Sequence, residues 1–222
     1  MKNVFSIASM IGALLLLMAF VVPQQKPVKI GLLKYSGGGD WYANPTALPN
    51  LIDYCNKQMG MNIDAEPVTV EAGSPDIFNV PFLHMTGHGN VVFSAEEAEN
   101  LRLYLESGGF LHIDDNYGMD AYVRTAINEV FPDQELLELP FSHAIYKQQY
   151  SFSTGVPKIH EHDGKPAQGF GIFLEDRLVV YYTYETDLGD GWEDPEVHND
   201  TPEVRTKSLK MGANILRFAL TQ

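Results

Sequence analysis

Apolar positions recur along this chain in two ways. Short unbroken runs predict strands, and stretches where apolar residues return every third or fourth place predict helices. Residues 28–34, VKIGLLK, are apolar on both faces and predict a central strand. Leu48, Leu51, Ile52 and Cys55 mark a helix that follows Asn44-Pro45 and stops at Gly60. A strand over 63–71 leads to Ser74-Pro75-Asp76, a capped turn. The segment 80–116 organises the rest. An apolar run, 80–85, ends at Thr86-Gly87-His88-Gly89, where the glycines let the backbone turn and hold an imidazole out. Ser94 with Glu97 three places on is a capping box, and Ala98, Leu101 and Leu105 continue it into a helix over 95–107. Gly108-Gly109 ends that helix, and the strand 110–113 runs into Asp114-Asp115-Asn116. A strand, crossover helix and strand form a right-handed parallel unit, so both polar clusters emerge at one edge of the sheet, where ligands of open α/β sheets bind.

Beyond it, 117–130 predicts a helix broken at Phe131-Pro132-Asp133, and Leu137, Leu139 and Phe141 an extended piece leading to His143. Residues 169–174 and 178–184 predict two strands joined by 175–177, a C-terminal hairpin added to the sheet. Thr201-Pro202-Glu203 caps a last helix whose stripe is Leu209, Ala213, Leu216 and Leu220. This order of elements is that of an α/β protein, with one domain over 28–222 after a linker at 23–27. Residues 1–22 carry one charge, Lys2, ahead of an apolar stretch of a length between a secretory signal and a membrane anchor; either places the domain outside the cytoplasm, in the periplasm or tethered facing it.

A formal net charge of −14 argues against nucleic acid as a partner, because that binding requires clustered Lys and Arg. Membrane contact is expected only through the N-terminal segment. Cys55 is the single cysteine and lies on a helix's apolar stripe, which makes it a buried thiol. Candidate chemistry gathers at the predicted edge. Asp114, Asp115 and His88 are the candidate acid, base or metal-ligating groups. Gly38, Gly39, Asp40, Trp41, Gly87, Gly89, Asn116, Asp187 and Trp192 are candidates to line a pocket for a small polar ligand or a glycan, with His143 as a further member. Ile159-His160-Glu161-His162-Asp163-Gly164 reads as an exposed hairpin tip. The loop Asp187 to Asp194 lacks the alternating ligands of a calcium loop. Two functions fit, a polar-ligand binding or accessory module and a hydrolase using a metal or paired acids; a purely structural envelope protein is a third. Cofactor and oligomeric state stay open.

The ordered motifs GGGDW, NPTALPNL, PFLHMTGHG, YLESGGFLHIDDN, FPD and TDLGDGW resemble those of an uncharacterised bacterial family known only as a domain of unknown function, over residues 28–220. That family is similar in fold to the class I glutamine amidotransferases, which implies a flavodoxin-like, mostly parallel sheet between helices. In amidotransferases a cysteine nucleophile follows the strand that here carries 110–113. Asp114-Asp115-Asn116 stands there instead, so the resemblance does not extend to glutaminase chemistry. The resemblance implies cysteine in many relatives where Asp190 stands, and so a side chain that is not essential to the loop.

Overall fold

The computed structural model describes residues 26–222. The expected signal or anchor at 1–22, and all but the last two residues of the linker at 23–27, lie outside the described residues. Among the described residues no helix is long and apolar enough to cross a membrane.

The domain is built on a seven-stranded sheet. Its strands are β1 (Ile30–Lys34), β2 (Val68–Glu71), β3 (Phe82–His88), β4 (Phe110–Tyr117), β5 (Leu137–Glu138), β6 (Gln168–Leu174) and β7 (Arg177–Tyr184). They lie in the order β2-β1-β3-β4-β7-β6-β5. The first five in that order are parallel; β6 runs antiparallel to β7, and β5 antiparallel to β6. The parallel part has the flavodoxin-like order, with the hairpin of β6 and β7 carrying the sheet further.

Helices cover both faces. On one face lie α1 (Ala47–Met59), the short α4 (Leu188–Trp192) and the long α6 (Pro202–Thr221), whose apolar residues pack with Ile30, Phe82, Phe110 and Tyr181. On the other lie α2 (Ala95–Glu106) and α3 (Asp120–Val130), packed on Leu33, Leu83, Met85, Leu111, Ile113 and Val180. A further short helix, α5 (Pro195–His198), joins α4 to α6. The Ser94 and Glu97 capping box starts α2, and Gly60 ends α1 in the left-handed conformation. Cys55 is fully buried on α1, and burial pushes its thiol up to about 12.

Two expectations need correction. β4 does not stop at Ile113 but continues through the acidic pair to Tyr117, and α3 starts at Asp120 rather than 117. His143 does not face the binding edge. Its ring nitrogen caps a 3₁₀ turn over Ala144–Lys147 and it packs on Phe173 and Phe218. Phe173 pairs with Leu178 at the start of β7, which is the opposite edge of the sheet.

Candidate functional site

Strand alternation sorts the residues of the central strands onto the two faces. Toward α1 and α6 point His84 and Thr86 of β3, His112 and Asp114 of β4, and Tyr181 and Thr183 of β7, paired in register, with Asn116 of β4 beyond them where the β3–β4 register shifts. These polar groups are buried, and each leans on the next. His84 Nδ1 lies 3.1 Å from His112 Nδ1, and His112 Nε2 lies 3.1 Å from Thr183 Oγ1. The Thr183 hydroxyl donates to Asp114 Oδ1 at 2.5 Å. Asp114 also accepts from the Gly189 amide at 2.7 Å and the Thr186 hydroxyl at 3.3 Å. Asn116 accepts from Thr86 at 2.8 Å and donates to Asn44. Burial lowers His84 to about 3 and His112 well below its ordinary value, so both rings are neutral. Burial raises Asp114 to about 7, against the pull of its Thr183 and Gly189 donors.

Asp115 points to the other face, so the adjacent acids do not form a pair. One of its oxygens accepts from the Met119 amide at 2.9 Å and the other from the Tyr182 hydroxyl at 3.2 Å, which ties the loop after β4 to β7. His88 is likewise separate from Asp114. Its half-exposed ring lies 3.1 Å from Asp40 Oδ2, and its backbone N–H donates to Asp40 Oδ1 at 2.5 Å. The glycines expected to cradle a ligand instead let two loops close on each other. A Cβ at Gly39 would stand 2.7 Å from the Asn90 carbonyl, and one at Gly87, where φ is +139°, would stand 2.9 Å from that of Asp40. Gly38 and Gly89, also at positive φ, complete the turns in open space. Trp41 packs on the core edge, edge-on to Tyr42. Trp192 is fully buried, its indole N–H donating to the Ser208 carbonyl, so it offers no face to a ligand.

Asp187 is the expected residue that leads into a real cluster. The segment 159–164 is not a solvated hairpin tip; it folds back over the edge, carrying His160 and His162 onto Asp187 and Asp190. His160 Nδ1 lies 3.2 Å from both Asp187 Oδ2 and Asp190 Oδ2, and its Nε2 lies 3.0 Å from Asp200 Oδ1. His198 Nδ1 lies 3.5 Å from the same Asp190 Oδ2, and its Nε2 lies 3.2 Å from Glu193 Oε2. The other Asp190 oxygen accepts from Asn44 Nδ2 at 2.6 Å. Asp190, expected to be dispensable, is thus the centre of the arrangement. His160, Asp190 and His198 each offer a ligand atom, all within 4.8 Å of one another. His162 Nε2 stands 2.5 Å from Asp187 Oδ2 but out of line for a hydrogen bond, and Asp187 Oδ1 is buried with no hydrogen-bond partner among the described residues. Asp187 and Glu185 both adopt positive φ, near +57° and +59°, strain that clusters at working sites.

Hydrogen bonds that His160 donates to Asp187 and then Asp190 raise it to about 11, while burial opposes them. Burial acting alone would raise Asp190, but the bonds from His160 and Asn44 outweigh it and leave the carboxyl below its ordinary value. Four carboxylates, Asp187, Asp190, Glu193 and Asp200, surround the three imidazoles, with the Arg205 guanidinium at the Glu193 carbonyl on the cluster's outer side. The cluster favours a cation. The sequence signal was there in the two histidines of 159–164 and in His198, but their convergence depends on contacts across 27 to 40 residues that no local pattern records.

A family model described as Domain of unknown function (DUF4159) matches residues 29–220, and the chain belongs to that family. No curated protein matches the chain.

Proposed function

We propose that this member of a family of unknown function is a metal-dependent hydrolase, working outside the cytoplasm, whose divalent cation is held by His160, Asp190 and His198. One observation carries the reading. Each imidazole has its Nε2 against a carboxylate, Asp200 or Glu193, and turns its Nδ1 to the same oxygen of Asp190. Outer carboxylates of this kind fix the tautomer and aim of metal-binding histidines. Ligand atoms about 2.1 Å from a tetrahedral ion stand about 3.4 Å apart; the two spacings to Asp190 are 3.2 and 3.5 Å, and all three atoms lie within 4.8 Å of one another. Imidazole and carboxylate without thiolate suit zinc, or iron in the two-histidine, one-carboxylate arrangement. Three protein ligands would leave a position open, where such an ion would supply a Lewis acid and an acidified water.

The remaining groups have separate tasks. Asn44 holds the outer oxygen of Asp190, which orients the inner one. Asp187, buried beside His160, has a free oxygen within the cluster and is the base to take a proton from an attacking water. The export reading rests on the apolar stretch within 1–22. A glycan-binding module draws its support from Trp41 and Trp192, and the burial of Trp192 weakens it.

Elemental analysis of protein made in zinc- and iron-supplemented medium should find about one equivalent of metal. Asp190→Ala should abolish loading, and Asp200→Asn should weaken affinity about 10- to 100-fold. A metal-free wild type, or unchanged loading in Asp190→Ala, rejects the reading.

A further inference from the structure

A cavity of about 230 Å³ lies between the start of α1 and the polar face of the sheet. Its walls are largely apolar, with Leu32, Leu48, Pro45, Pro49 and Pro67 prominent, and His84 lies at its floor beside Asn44. It occupies the switch point of the sheet, between β1 and β3, whose following helices α1 and α2 lie on opposite faces. Ligands of open α/β sheets enter at such crevices.

His84 supplies a second, independent observation. It is 1% exposed, and its Nε2 has no hydrogen-bond partner among the described residues. Its Nδ1 is turned to His112 on β4, on one side of β3, and His84 lines the cavity, which lies on the other side, that of β1. Leaving a buried polar atom unpaired costs about 1 to 3 kcal/mol.

The hydrogen-bond chain behind His84 sets what that nitrogen offers. Thr183 has one hydroxyl proton, and its shortest contact, 2.5 Å, is to Asp114 Oδ1. Having donated there, Thr183 accepts from His112 Nε2–H. His112 Nδ1 is then a bare acceptor and takes the Nδ1–H of His84. A neutral imidazole with its proton on Nδ1 has a lone pair on Nε2.

We propose that this cavity is a binding subsite for a small, mostly apolar group carrying an uncharged O–H or N–H, which donates to His84 Nε2. Charged groups are disfavoured by the proline and leucine walls. Drug-sized ligands occupy roughly 300–1,000 Å³, so the occupant is smaller, of the size of a substituted ring or a branched aliphatic chain. Asn44 lines the cavity and donates to Asp190, which puts the group next to the cation ligands as the recognition part of a substrate; that placement, unlike the binding itself, rests on the metal reading.

Phenol and toluene share a ring and differ in the donor, so they serve as probes. The test uses the full-length chain labelled with ¹⁵N-histidine, at pH 8 and treated with EDTA. Phenol is expected to shift the His84 Nε2 resonance saturably at millimolar concentration, and toluene to bind at least about tenfold more weakly, the discrimination worth about 1.4 kcal/mol. Thr69 is exposed on β2 at the cavity mouth, so Thr69→Tyr should plug it and abolish the phenol shift without disturbing the core. Asp190→Ala should leave the shift unchanged. Absence of a saturable shift in wild type, equal binding of toluene, or an undiminished shift in Thr69→Tyr overturns the subsite. Loss of metal binding alone leaves it standing.

Discussion

The two faces of the parallel sheet are made by the same strands and do opposite work. Toward α2 and α3, Leu83, Met85, Leu111, Ile113 and Val180 form an apolar layer, and the carboxylate of Asp115 at its rim is tied through both oxygens. Toward α1 and α6, the neighbouring positions are His84, His112, Asp114, Asn116 and Thr183. On one face the strand residues are mostly apolar and need no hydrogen-bond partner. The other depends on a chain of polar partners, which ends at His84 Nε2, a nitrogen with no hydrogen-bond partner among the described residues.

Leu111→Ala tests the apolar face and should show the largest effect. The side chain is fully buried, and truncation should cost about 2 to 5 kcal/mol in denaturant unfolding, with metal loading per folded molecule unchanged. On the polar face, His112→Leu keeps volume but strands His84 Nδ1 and Thr183, at about 1 to 3 kcal/mol. A cost below a few tenths would mean that the polar column is not a working network.

Asp114 separates the faces by pH. Its folded carboxyl titrates near 7 against an ordinary 3.8, so the folded state binds more protons between those values and this group stabilises the fold as pH falls through that window. His84 and His112, depressed in the fold, work the other way below 6.5, but wild type and Asp114→Asn share them. The stability lead of wild type over the variant should therefore widen on acidification from pH 7 to pH 5, by about 1.4 kcal/mol per unit. A lead that is flat or narrows removes Asp114 from the buried network. The smallest effect belongs to His88→Ala. Its contact with Asp40 is half-exposed, worth about 0 to 1 kcal/mol, and metal loading should not change. Loss of loading there would return His88 to the site.

The strands and helices around 80–116 were legible because burial and capping are local properties: Ser94, Glu97 and Gly108 stand at helix ends as their chemistry requires. The partnership of Asp114 with Asp115 was misread for an equally local reason. Ending the strand at Ile113 made the two acids neighbours in a loop, whereas β4 runs on to Tyr117, and two adjacent strand residues face opposite ways. His160 and His162 were hidden by their surroundings. Alternating polar residues before Asp163-Gly164 have the composition of a hairpin tip, and only the packing of that segment over Asp187 and Asp200 gives the histidines partners. The parallel pairing of β3 with β4 was recoverable from handedness, and the flavodoxin-like sheet from the family resemblance, but the side chains meeting above it were not.

The hydrogen bond from Asn44 to Asp190 joins residues 146 positions apart. A contact of that span requires closing a loop of most of the domain, an entropy cost that grows as the logarithm of its length. Synthesis runs from the amino end, so β1, α1 and β3 exist as chain long before Asp190, His198 and Asp200 have been made. The apolar sheet face, whose contacts between β3, α2 and β4 lie close in sequence, has everything it needs to collapse early. The cluster above the other face waits for the last quarter of the polypeptide, and Asn44 meets its carboxylate only when both ends of the domain are in place.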